Sequence, residues 1–78
     1  MPKFYFDIND GTGDSIDTEG CDMKDRVQAR SEIMEALYLI GCEADSDSDH
    51  RDITAIVRDN RDKVIFEAKL SLVAKWRD

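Results

Sequence analysis

The sequence has one histidine, two cysteines and, from residue 4 to residue 23, no lysine or arginine. Each scarcity removes a class of function. A zinc site would need His50, Cys21, Cys42 and a carboxylate together, yet the cysteines show none of the close paired spacing that zinc ligands use. No C-x-x-C is present, so the two thiols are expected to be reduced and to pack as small buried hydrophobes. Nucleophilic catalysis lacks its frame as well. Ser31, Ser46, Ser48 and Ser71 have no G-x-S-x-G context, and a Cys–His pair without an orienting third group is no triad. Carboxylates abound, so finding two near each other says nothing about glycosidase chemistry. The reading is a non-enzyme with no cofactor.

The shortage of bases has its own consequence. Eleven lysines and arginines face 18 acids, a net charge of −7. Nucleic-acid binders present a basic patch that displaces counterions from phosphates, and this chain offers none. An anionic membrane surface would repel it for the same reason. Trp76, Tyr5 and Tyr38 are expected in core or interface packing, because no basic residues interleave with them to make a base-stacking platform. The longest uncharged apolar run, ALYLIG, is far short of a membrane span. The start MPKFYFDIND has an acid at position 7 and no apolar stretch of signal-peptide length, which predicts a cytoplasmic protein. The partner these features fit is another protein, of basic character, or a second copy of the chain.

What is present describes a small α+β domain. Seventy-eight residues make one domain, 1–78, with 41% hydrophobic and 37% charged residues. Such a chain buries little more than ~60% of its unfolded surface, so help from a partner or a second copy is expected. Residues 3–9, KFYFDIN, alternate as a half-buried strand with Phe4, Phe6 and Ile8 on one side. NDGTG reads as a turn, and a short strand through Ile16, residues 15–18, as the return. From Arg26 to about Glu43 the apolar positions Val27, Ile33, Met34, Leu37, Ile40 and Ala44 form a helical stripe, with Asp25 as N-cap and Gln28 three residues on. Residues 43–52, EADSDSDHRD, read as an acidic loop. ITAIVRD and VIFEAKL read as strands joined by the turn NRDK, with Val64, Phe66, Ala68 and Leu70 sharing one face. SLVAKWRD reads as a last helical turn, in which Leu72, Val73 and Trp76 close the core. The order is β-β-α-β-β, an antiparallel sheet with one long helix on one face, in two layers.

Two acidic stretches look like metal loops. In residues 6–22, an EF-hand frame from Asp7 puts Gly11 at position 5, Thr12 at position 6 and Thr18 at position 12, where an oxygen ligand, glycine and glutamate belong. A dinucleotide fingerprint fails at Ile16, where its third glycine belongs. The stretch is a tight acidic hairpin. Asp45, Asp47 and Asp49 do occupy EF-hand positions 1, 3 and 5. His50 then replaces the glycine and Ile56 the bidentate glutamate, so these three aspartates are a candidate only for weak divalent-cation binding. For self-association, the expected contact is the sheet face the helix leaves uncovered, bearing Tyr5, Ile56 and Ile65, together with an unpaired outer strand that invites a homodimer.

MPKFYFDINDG, DTEG, the spaced Asp25, Ala29, Arg30 and Glu32, and VRDNRDKVIF together resemble a large family of short bacterial proteins known as a domain of unknown function. The resemblance covers nearly the whole chain and implies a fold, with no activity, cofactor or catalytic residue. The acidic loop and the SLVAKWRD tail depart from its pattern. A fainter likeness links EGCDMKDRVQARSEIMEAL to the strand-to-helix segment of HicB-type antitoxins, which neutralise a small basic ribonuclease toxin. That likeness implies a basic partner steered in by the −7 charge. Glu19 stands where those proteins have proline, and no DNA-binding segment follows.

Overall fold

The computed structural model describes residues 1–11, 13–42 and 50–77. Its elements are β1 (Lys3–Asn9), β2 (Asp14–Ser15), β3 (Cys21–Asp22), α1 (Arg26–Cys42), β4 (His50–Arg58) and β5 (Val64–Val73). The strands form one antiparallel sheet in the order β2-β1-β4-β5, with β3 also on β1. This is the expected α+β architecture, one helix on an antiparallel sheet, with one strand more than the sequence announced.

Pleating explains the layers. Phe6 pairs with Val57 and Ile8 with Ala55, while Leu70, Ala68 and Phe66 sit opposite Ile53, Ala55 and Val57. Directly opposed residues share a face. Those side chains therefore form one apolar surface, and α1 covers it with Ala29, Ile33 and Leu37, all buried. The helical stripe runs at intervals of four through Ala29. Val27, counted into it from the sequence, is instead 71% exposed. Gly41 is a close-packing position, since a Cβ there would lie 2.6 Å from Leu70 Cδ2.

The helix begins as its cap dictates. Asp25 Oδ1 accepts from the Gln28 amide at 2.9 Å, and Gln28 Oε1 accepts from the Lys24 amide at 2.6 Å. Two donors ahead of the first complete turn are thus satisfied. Asp25→Ala should cost about 1 kcal/mol. Urea denaturation followed by circular dichroism measures it, and a change below a few tenths would mean the cap contributes nothing.

The hairpin between β1 and β2 is built from side-chain turns. Gly13 donates to Asp10 Oδ1 and Gly11 to Asn9 Oδ1, and Gly11 has φ of 89°. β2 spans Asp14–Ser15 rather than 15–18, and Ile16 is exposed. The chain then arcs to β3, which pairs with Lys3 and Phe4. At the bend, Gly20 has φ of 74°, and a Cβ there would meet Lys3 Cγ at 2.8 Å and Tyr5 Cε2 at 2.9 Å, so only glycine fits.

Two expectations for the C-terminal half are corrected. His50, Arg51 and Asp52, assigned to the acidic loop, belong to β4 and pair with Val73, Leu72 and Ser71. The same pairing draws Ser71–Val73 into strand, so no helical turn forms there, and Trp76 is 92% exposed. NRDK is a turn as expected. The Asp59 carboxylate accepts from the Arg61 and Lys63 amides, and Asp62 takes φ of 64°. A bulge between Val57 and Arg58 shifts the register, so Val64 opposes Arg58 and is half exposed instead of joining Phe66 on the helix face.

Candidate functional site

The densest chemistry lies on the sheet face away from the helix. Asp7 in β1 is buried, at 8% exposure. Arg58 in β4 meets it with both arms, Nε to Oδ2 at 2.7 Å and Nη2 to Oδ1 at 3.0 Å. Nη2 also donates to the Asp17 carbonyl at 2.8 Å, and Nη1 to Asp62 Oδ1 at 2.5 Å. The guanidinium lies over the Tyr5 ring, 5.1 Å from its centroid. Asp7 Oδ1 accepts in turn from the Asp17 amide at 2.9 Å. The Asp17 carboxylate accepts from the amides of Phe6, Glu19 and Gly20. One arginine therefore clasps the acidic hairpin, the β3 approach and the β4–β5 turn onto the sheet.

The electrostatics follow. The Arg58 hydrogen bonds hold the Asp7 carboxyl below its usual value of 3.8, against the opposing effect of burial. Asp17 is also lowered, chiefly by the Gly20 amide. Arg58 is raised by Asp7 and Asp62. Both aspartates are therefore ionised at neutral pH, and their oxygens are occupied by donors. A general acid needs a raised carboxyl and a general base needs an accessible one. The acidic hairpin is a structural clasp.

The residues singled out in the sequence are scattered. Tyr5 and Ile56 do lie on the uncovered face, where the register sets Asp7 opposite Ile56 and Arg58 opposite Tyr5. Ile65 falls at the bulge and packs against the core cluster, because the extra residue disturbs the alternation that assigned it outward. Asp45, Asp47 and Asp49 lie outside the described residues. Cys21 and Cys42 are exposed free thiols, not buried ones, since β3 is a rim strand and Cys42 ends the helix. His50 pairs with Asp52 at 3.2 Å. Asp52 is held low by the Ser71 hydroxyl at 2.7 Å, then by Lys69 and His50. Among the described residues no three His, Cys, Asp or Glu side chains converge as a metal set. No described helix is long and apolar enough to cross a membrane.

The remaining feature is an edge. Among the described residues β5 ends the sheet, with β4 on one side and no strand on the other. Val64, Leu72 and Val73 on this strand, and Trp76 beyond it, are exposed. Beside it, Tyr38, Gly41, Leu70 and Leu72 line a mainly apolar groove of about 400 Å³. Sequence reasoning could place a strand here but not its position at the edge, which depends on strand order.

Comparison with known proteins bears on the fold. A family model described as a domain of unknown function (DUF6894) matches residues 3–71. No curated protein and no solved structure matches the chain. The chain belongs to the DUF6894 family.

Proposed function

We propose that this protein is a non-enzymatic, cytosolic protein–protein interaction module that self-associates along the free edge of β5. The observation that carries the reading is the length and character of that edge. Edge strands in monomers are kept short, bulged, covered, or guarded by proline or charged side chains. β5 has ten residues, no proline, a bulge only at its first residues, near Val64 and Ile65, and two mid-strand charges of opposite sign, Glu67 and Lys69. The shape agrees. The Cα radius of gyration is 14.2 Å, against about 11.5 Å for a compact domain of this length. The hairpin end and its tail carry Leu72, Val73 and Trp76 exposed to water.

The uncovered sheet face is the weaker contact. Tyr5 and Ile56 there stand among Asp7, Arg58, Glu67 and Lys69, a charged and well-hydrogen-bonded surface. A basic protein partner of the antitoxin kind draws support only from the −7 charge. A concentration series by analytical ultracentrifugation tests the proposal. A mass rising to twice 8.9 kDa is expected. A chain that stays at 8.9 kDa up to the highest soluble concentration overturns it.

A further inference from the structure

The charge order along β5 fixes how two copies would meet. We propose that they pair β5 to β5 in antiparallel register centred on Ala68, merging the two sheets with both helices on the same side; this rests on the edge-mediated self-association proposed above. In an antiparallel pair, directly opposed residues share a face. Symmetric registers that keep the faces aligned are therefore centred on a residue of the strand. Centring on Glu67 sets that carboxylate against its own copy. Centring on Lys69 does the same for two ammonium groups. Like charges directly opposed are destabilising.

Centring on Leu70 avoids both but leaves Glu67 and Lys69 facing uncharged residues. Centring on Ala68 avoids both and sets the two charges against each other. Glu67 then opposes Lys69 of the second copy, and the two-fold axis repeats the pair, so one interface carries two opposite-charge contacts. On the helix side Phe66 opposes Leu70 twice and Ala68 opposes itself. Phe66, Ala68 and Leu70 already pack on the core, so the apolar layer would run unbroken across the junction. Phe66 of the second copy would come beside Leu70 at the rim of the apolar groove. Glu67 and Lys69 are exposed in the single chain; Lys69 Nζ lies 3.9 Å from Asp52 Oδ2, a long, exposed pair that the contact with Glu67 of the second copy would share or replace. The arrangement leaves neither copy with β5 as an edge, the closed two-fold solution to an exposed strand.

The test is sedimentation equilibrium of the full chain, Glu67→Lys, Lys69→Glu and the double swap Glu67→Lys/Lys69→Glu, with circular dichroism to confirm folding. Each single change should weaken the dimer about tenfold, because two attractive pairs become two repulsive ones. The double swap should return it to within about threefold. Glu67→Lys is the discriminating variant. It removes one negative and adds one positive charge, taking the net charge from −7 to −5. If overall repulsion governed association, it would strengthen the dimer; the register requires it to weaken. A dimeric parent whose single variants dimerise equally well, or whose double swap stays weak, overturns the register and leaves self-association standing. A monomeric parent overturns both.

Discussion

Ile33→Ala is expected to lower the free energy of unfolding by about 3 kcal/mol, leaving a visible unfolded fraction near body temperature. Ile33 is 1% exposed and sits at the middle of the helical stripe, facing the β4 residues Ile53, Ala55 and Val57. Truncation removes the transfer energy of the lost carbons and leaves a cavity that a rigid sheet cannot close. The proportion matters more than the amount. A domain of this length has of the order of 4–12 kcal/mol of stability, and a small core belongs in the lower half of that range. Val27→Ala is the internal control. Its side chain is exposed, and alanine is the better helix former, so its effect should stay within about 0.5 kcal/mol. Urea midpoints at one fixed protomer concentration give both values. Equal effects at the two positions would mean that the helix is rotated from its described seat.

The contrast between those two positions shows how far the sequence could be read. The interval-of-three-and-four pattern located the helix and its cap, because both depend on neighbours within one turn. It chose Val27 where the sheet buries Ala29, since both fit a stripe and only the sheet beneath decides. β1 was legible to its ends for a similar reason: seven alternating residues bounded by a turn leave one solution. β3 has two residues and exists only because Lys3 and Phe4 offer an edge. The tail failed through a real ambiguity, as Leu72, Val73 and Trp76 suit a helical turn or an extended strand. Pairing with His50–Asp52 settles it, and those residues had been read as loop. The Arg58 clasp left one trace, an arginine closing the apolar run ITAIV in one strand and a lone aspartate in another. Register joins them, and register is not local.

That clasp carries the second large effect, and pH exposes it. Asp7→Ala should cost about 2–3 kcal/mol at pH 7. Breaking a fully buried ion pair costs about 3–5 kcal/mol; here Arg58 keeps Asp62 and the Asp17 carbonyl as partners, so the loss is smaller. The melting temperature should fall by roughly 10–20 °C. The sign of the pH dependence follows from the direction of the shifts. Asp7 and Asp17 are both lowered in the folded state. A carboxyl with a lowered folded pKa contributes stability above its unfolded value of about 3.9, and that contribution fades as pH falls through the folded one. The native chain should therefore lose stability progressively below about pH 5. Asp7→Ala starts lower at pH 7 but should lose less on acidification, because one of the linked protons is gone; Asp17, with Asp52 and Asp59, keeps the curve from becoming flat. Urea midpoints at pH 7, 5, 4 and 3 separate the possibilities. Parallel acid limbs in the two proteins would mean that Asp7 is not held low by Arg58, and the clasp would then be no more than a close contact.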